Sequence, residues 1–88
     1  MALQYPVHSP DAPPIVPDTK RYSYNSTTGL LQFEGWADSA SNPQPGAPVW
    51  AIKQYTYDAS NRLILEQWAN GSSQRTNVWN NCATLSYQ

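Results

Sequence analysis

The chain carries one pattern of aromatic and aliphatic residues twice. The first copy runs from Tyr22-Ser23-Tyr24-Asn25 through a polar stretch to Leu30-Leu31 and Trp36-Ala37-Asp38. The second runs from Tyr55-Thr56-Tyr57-Asp58 to Leu63-Ile64 and Trp68-Ala69-Asn70. Aromatic and β-branched runs separated by turn residues are typical of β-hairpins. The repeat therefore predicts two equivalent hairpins, and neither copy contains a recognisable catalytic group.

The remaining pattern also favours strands over helices. Alternating or apolar runs predict strands at Tyr22–Tyr24, Leu30–Ala37, Val49–Tyr57, Leu63–Ala69 and Ala83–Tyr87. Proline and glycine signals between Asp38 and Pro48 predict a long loop. We expect an all-β domain at residues 21–88, a small antiparallel sheet or sandwich of two equivalent hairpins plus a closing C-terminal strand. Apolar residues on both strand faces predict that both faces are covered, by this chain or by another molecule.

The two copies differ in length by one residue, and Gly35 offers an explanation. Leu31 and Trp36 are five positions apart, whereas Ile64 and Trp68 are four apart. Because side chains on a strand alternate between faces, the extra residue predicts a β-bulge, and glycine is common in bulges. In this alignment of the two copies Glu66 corresponds to Phe33, so Glu34 and Glu66 are not expected to be equivalent.

Residues 1–20 form a proline-rich segment that is predicted to be an extended arm. Five of the chain's eight prolines lie before Asp18, and proline cannot donate a backbone hydrogen bond to a central strand. Two interpretations remain open, a tail without fixed structure and an arm that lies along a neighbouring subunit. The apolar residues that would make contact in the second case are Tyr5, Val7, Ile15 and Val16.

The inventory of reactive residues argues against several functional classes. One cysteine, Cys82, excludes an intramolecular disulfide, and His8 is the single histidine. No zinc site, cofactor site or Ser-His-Asp constellation is therefore expected within one chain, and we predict that the protein is not an enzyme. The basic residues are few and scattered, which argues against nucleic acid. No apolar run is long enough to span a membrane, and the N-terminus has no signal-peptide pattern.

Aromatic residues are the main excess of this composition. Only 12% of residues are charged, against about 25% in an average domain, which suits a protein within an assembly because interface cores are depleted of charge. The repeated Trp36 and Trp68 are expected to fill the core of the two hairpins. Trp79 lies in a loop-like context and is the predicted contact residue.

Two resemblances to known proteins follow from these motifs. Tyr55-Thr56-Tyr57-Asp58-Ala59-Ser60-Asn61-Arg62-Leu63 resembles the YD repeat of Rhs-type proteins, with Asn61 at the usual glycine. Val49-Trp50-Ala51-Ile52-Lys53 and Val78-Trp79-Asn80-Asn81-Cys82-Ala83-Thr84-Leu85-Ser86-Tyr87 are similar to short virion structural proteins of tailed bacteriophages, in which a basic residue is usual at the position of Cys82. The second resemblance, over about residues 30–88, implies a component of a phage particle.

The resulting functional expectation is a virion protein that cements or decorates the particle through its arm and its aromatic sheet and loop contacts. Its expected partners are the major capsid protein or neck and tail subunits, together with copies of itself. A neck, tail or baseplate adaptor is the nearest alternative. A carbohydrate-binding module at a tail or fibre tip, using Trp79 and turn residues, is an alternative of a different class.

Overall fold

The computed structural model describes residues 17–88, which form one antiparallel β-sheet. Its strands are β1 (Asp18–Tyr24), β2 (Leu31–Asp38), β3 (Pro48–Tyr57), β4 (Leu63–Trp68) and β5 (Asn77–Val78). Strands β1 to β4 lie side by side in chain order, and β5 pairs with the beginning of β3. The expected all-β fold with two hairpins, β1–β2 and β3–β4, is confirmed. The expected arm lies outside the described residues, although β1 begins at Asp18, within the segment assigned to it.

Equivalent Asx turns close the two hairpins. The side-chain oxygen of Asn25 accepts hydrogen bonds from the N–H groups of Thr27 and Thr28. Asp58 accepts in the same way from the N–H groups of Ser60 and Arg62. Each turn then contains a residue with positive φ, Gly29 at 75° and Asn61 at 63°. Glycine and asparagine adopt this conformation most readily, which explains why these two residues stand at the positive-φ positions of the turns.

The bulges occur in the two returning strands, at equivalent positions, and not at Gly35. Gly35 pairs regularly with Arg21 on one side and Ile52 on the other, so the predicted bulge at Gly35 is wrong. Gln32 is the additional residue of β2, where Ser23 faces Phe33 and Tyr24 faces Leu31. Ile64 is the additional residue of β4. The one-residue difference between the copies lies instead in the first turn, which is longer than the second.

This register corrects the alignment of the two hairpins. Tyr24 pairs with Leu31, and Tyr57 pairs with Leu63. From these leucines onward the copies match position for position, so Glu34 corresponds to Glu66 and Trp36 corresponds to Trp68. The expectation that the two glutamates are not equivalent is therefore wrong. The sequence pattern aligns Leu31 with Ile64, whereas the strand pairing makes Leu31 equivalent to Leu63.

The core lies on one face of the sheet, here called the core face. Its buried apolar residues are Phe33, Ala37, Trp50, Ile52, Ala69 and Trp79. The chain after β5 covers this face with a 3₁₀ helix at Trp79–Thr84 and the residues that follow it. A side chain at Gly35 would place its Cβ 2.8 Å from the Trp79 ring. The glycine therefore provides the space in which that indole packs on the sheet.

The expected closing strand at Ala83–Tyr87 is replaced by this 3₁₀ helix and a single bridge. Only Tyr87 pairs with the sheet, opposite Ala69. The ring of Tyr87 lies 5.5 Å from that of Phe33, and its hydroxyl donates to the carbonyl oxygen of Cys82. The alternation of Ala83, Leu85 and Tyr87 resembles a strand, but the helix places Leu85 and Tyr87 against the core instead.

Candidate interaction surface

The opposite face of the sheet carries the repeated aromatic and charged residues, and we call it the ladder face. Cross-strand partners in an antiparallel sheet share a face, and the observed pairs assign eight such residues to this one. They are Lys20, Tyr22, Glu34, Trp36, Lys53, Tyr55, Glu66 and Trp68. No element among residues 17–88 packs over this face. Within the described part of the chain, this face is therefore left uncovered.

Two tryptophans and a lysine form the centre of the ladder face. The rings of Trp36 and Trp68 lie 5.4 Å apart across β3 with a tilt of 49°. The Lys53 ammonium lies 4.7 Å from the Trp68 ring and 5.6 Å from the Trp36 ring, distances at which a cation is attracted to an aromatic face. Lys53 also pairs with Glu66 at 3.0 Å. These contacts hold both indoles half-buried, with part of each ring accessible to a partner.

A hydrogen bond between Tyr55 and Glu34 joins the two hairpins on this face. The Tyr55 hydroxyl donates to Glu34 Oε1 at 2.5 Å, and the Tyr57 hydroxyl donates to the carbonyl oxygen of Leu31 at 2.7 Å. Burial, with the Glu34 carboxylate as the second cause, raises the pKa of Tyr55 above its usual value of 10.0. The phenol therefore stays protonated at neutral pH and remains a donor to Glu34.

Among residues 17–88, the exposed large apolar residues are all on the two outer strands of the sheet. Tyr22 and Tyr24 belong to β1, whereas Leu63, Ile64 and Leu65 belong to β4. Within residues 17–88 no strand pairs with the outer edge of β1, and the outer edge of β4 is paired only at its end, where Gln88 N–H donates to the carbonyl oxygen of Trp68. Uncovered edges with apolar side chains are ready sites for pairing with another chain.

The structure places the predicted contact residues differently from the expectation. Trp79 is 9% exposed and packs in the core against Trp50. The expectation that it lies in a loop, open to a partner, is therefore wrong. Trp36 and Trp68, expected in the core, lie on the ladder face. The arm residues Tyr5, Val7, Ile15 and Val16 lie outside the described residues, so their role stays a prediction.

A groove lies between the two hairpin turns, at the end of the sheet remote from Trp79. Its volume is 320 Å³, and its walls include Asn25, Leu31, Tyr55, Tyr57 and Asn61. Side-chain amides next to tyrosine rings can hydrogen-bond and stack against a small polar ligand. Sequence reasoning did not identify this groove, because it depends on how the two turns lie relative to one another.

Neither a metal-binding cluster nor a membrane-spanning helix occurs in the described segment. Residues 17–88 contain no group of three His, Cys, Asp or Glu side chains placed to hold a metal ion. No helix in this segment is long and apolar enough to cross a membrane. Comparison of the chain with protein-family models, curated proteins and solved structures gave no match.

Proposed function

We propose that this chain is a structural protein of a phage virion that binds neighbouring subunits through its N-terminal segment and its ladder face. In this role it cements or decorates the particle, with a neck, tail or baseplate adaptor as the alternative position. The observation that carries the proposal is the ladder face itself. Its tyrosines and tryptophans are residue types that are enriched in interface cores, and its lysines and glutamates are paired with one another within the face.

The charge distribution supports an interface over a freely solvated surface. Lys20 and Lys53 each lie near a glutamate and over a tryptophan ring, so the cations are already paired within the face. A partner that covers the face would bury aromatic surface without leaving these charges unpaired, which avoids the main cost of burying ions. The virion as the assembly is supported by the resemblance of Val49–Lys53 and Val78–Tyr87 to phage virion proteins.

Quantitative mass spectrometry of purified phage particles tests the proposal. We expect the chain to remain bound to particles after density-gradient purification. Many copies per particle would place it on the shell, whereas a small number would place it at the neck or tail. Absence from purified particles, with the chain present in the infected-cell lysate, would overturn the proposal.

A pair of variants tests which surface makes the contact. Deletion of residues 1–16 removes none of the described elements, so the circular dichroism spectrum should not change. Because this segment is proposed to contact neighbouring subunits, particle binding should be lost. Trp68→Ala removes one ring of the ladder face and should weaken particle binding. Thr56→Ala, an exposed substitution on the opposite face of β3, is the matched control and should bind normally.

The groove between the turns favours carbohydrate binding as a second candidate function. Its amide and tyrosine side chains suit a sugar, which is bound by hydrogen bonds together with stacking on an aromatic ring. A glycan array probed with the full chain and with the chain lacking residues 1–16 separates the two functions. A glycan-binding module would retain its ligand after the deletion, whereas the cementing function would lose particle binding.

A further inference from the structure

The junction between β2 and β3 shows how one hairpin of this chain binds another. Glu34 of β2 pairs with Lys53 of β3, and the pairing continues from Phe33 opposite Gln54 to Trp36 opposite Ala51. Across this junction the Tyr55 hydroxyl donates to Glu34, and the Lys53 ammonium lies over Trp36. The junction therefore joins the returning strand of one repeat to the first strand of the next.

The outer strands carry the same residues as this junction but lack a partner in residues 17–88. In the repeat, β4 corresponds to β2, with Glu66 and Trp68 in place of Glu34 and Trp36. Strand β1 corresponds to β3, with Lys20 and Tyr22 in place of Lys53 and Tyr55. The Glu34 side chain is only 12% exposed, whereas that of Glu66 is 44% exposed. Tyr22 is likewise exposed where Tyr55 is half-buried.

The backbone groups of both outer strands also point in the directions that such a junction needs. Asn25 N–H donates to Leu30 O, and Ser39 N–H donates to Pro17 O. The backbone N–H and C=O groups of the odd-numbered residues of β1 therefore point toward β2. Backbone directions alternate along a strand, and the N–H and C=O groups of Lys20 therefore point outward.

The outer edge of β4 is arranged in the same way. Ala69 N–H donates to Ile52 O, so the backbone N–H group of Ala69 points toward β3. The carbonyl oxygen of Trp68 points outward and accepts from Gln88 N–H. By alternation the backbone groups of Glu66 also point outward. Glu66 and Lys20 can thus form the same hydrogen-bonded pair that Glu34 and Lys53 form within the chain.

We propose that β4 of one copy pairs antiparallel with β1 of a second copy, head to tail, in the register of the internal junction. Glu66 then faces Lys20 of the second copy, Leu65 faces Arg21, and Gln67 faces Thr19. The Tyr22 hydroxyl of the second copy donates to Glu66, as Tyr55 does to Glu34. Two of the exposed apolar residues, Tyr22 and Leu65, take part in this contact.

The C-terminal residues set the length of this interface. The internal junction begins at Phe33, the equivalent of Leu65, and Gln88 already occupies the outer edge of β4 at Trp68. The intermolecular ladder therefore extends from Leu65 to Gln67. Because the two contacting surfaces differ, the contact is heterologous and leaves an unpaired edge at each end of a dimer. Such contacts form closed rings or open filaments. The inference holds whether or not the assembly is a virion.

Two proline variants, each blocking one edge, test the proposal by sedimentation velocity. Lys20→Pro removes the outward N–H of β1, and Glu66→Pro removes that of β4. Proline is tolerated in an edge strand when the missing N–H faces solvent. We expect the full wild-type chain to self-associate with rising concentration and each variant alone to remain monomeric. An equimolar mixture should give a species of two chains and nothing larger, since each variant retains one intact edge.

Other results would overturn the proposal. A wild-type chain that remains monomeric would do so, and so would a mixture of the two variants that remains monomeric. Self-association of Lys20→Pro alone would mean that β4 pairs with itself. Tyr22→Phe provides the test if a proline variant does not fold, because the Tyr22 hydroxyl makes no hydrogen bond within residues 17–88. Loss of its hydrogen bond to the Glu66 carboxylate should weaken self-association by about tenfold. Unchanged association of Tyr22→Phe would contradict the proposed register.

Discussion

At Gly35 the sheet presents bare backbone to the indole ring of Trp79. A Cβ atom built there would lie 2.8 Å and 2.9 Å from two carbons of that ring, and 3.2 Å from the Trp50 ring. Both rings are buried and pack against one another. Neither ring can therefore move aside without disturbing the rest of the core face.

We predict that Gly35→Ala lowers the free energy of unfolding by about 1–3 kcal/mol, the usual range for an overpacked core. Gly46→Ala is the matched control, because its new Cβ would lie 3.7 Å from Asn80 Nδ2, an ordinary contact distance. Urea denaturation followed by circular dichroism measures both. Equal stability of the two variants would show that the core accommodates the additional methyl group.

Residue-level features were predictable from the sequence only where their causes are local. The turns at Asn25 and Asp58 depend on side chains bonding to nearby backbone groups, and turn chemistry identified them. The role of Gly35 depends on Trp79, which is distant in the sequence. The pattern around Gly35 therefore suggested a bulge, although the glycine is explained by the tryptophan packed against it.

The two hairpins, as elements, are connected on the ladder face by the hydroxyl of Tyr55. Glu34, which accepts its hydrogen bond, is mostly buried. Removing a hydrogen bond to a charged and largely buried acceptor is more costly than removing one from an exposed group. The equivalent hydroxyl of Tyr22 has no such partner within residues 17–88, so the repeat supplies its own internal control.

We predict that Tyr55→Phe lowers the free energy of unfolding by about 1–2 kcal/mol, while Tyr22→Phe leaves the stability of the monomer unchanged. The raised pKa of Tyr55 also predicts how its contribution to the free energy of unfolding changes with pH. Since its folded-state pKa lies above 10.0, the contribution is complete below that pH and declines at higher pH. Thermal unfolding of dilute samples from pH 7 to 11 measures both effects. A wild-type chain and a Tyr55→Phe variant with identical profiles would contradict the assignment.

Most strands were predictable because the repeat combines β-prone residues with recognisable turns. The bulges at Gln32 and Ile64 were not, because a bulge changes which residues face each other across strands without changing composition. The 3₁₀ helix at Trp79–Thr84 was also missed. Its flanking apolar residues alternate as they would in a strand, and only the position of the core distinguishes the two structures.

On the scale of the whole molecule, an ion pair connects the loop after β4 with the start of β1. The Arg75 guanidinium donates to both carboxylate oxygens of Asp18, at 2.7 Å and 3.1 Å. The hydrogen bond from Arg75 is the main cause that lowers the pKa of Asp18 below 3.8. This contact links the loop before β5 to β1, the edge strand that we propose as an interface.

We predict that Arg75→Gln raises the pKa of Asp18 toward 3.8, as measured by NMR titration of its carboxyl carbon. A lowered folded-state pKa stabilises the protein above the unfolded-state value, and this contribution is lost as the pH falls through the folded-state value. The pH dependence of unfolding below pH 4 should therefore become weaker in the variant. An unchanged Asp18 titration would show that Arg75 does not hold this carboxylate in solution.

The candidate surface was only partly predictable from the sequence. Composition indicated an interface that uses aromatic residues, and this role stays a prediction. It did not show which face would be covered, because both faces of the strands carry apolar residues. Trp36 was expected in the core and Trp79 at the surface, and their positions in the structure are the reverse. The side on which the C-terminal segment folds determines which tryptophans form the core.

The sheet separates the four tryptophans into two pairs whose fluorescence responds differently to a quencher in solution. Trp50 and Trp79 lie on the covered side, while Trp36 and Trp68 lie half-buried on the other. A dissolved quencher such as iodide therefore has access to the second pair in the native protein and reaches the first only on unfolding. Intrinsic fluorescence can thus distinguish occupancy of the ladder face, which shields one pair, from loss of the fold, which exposes both.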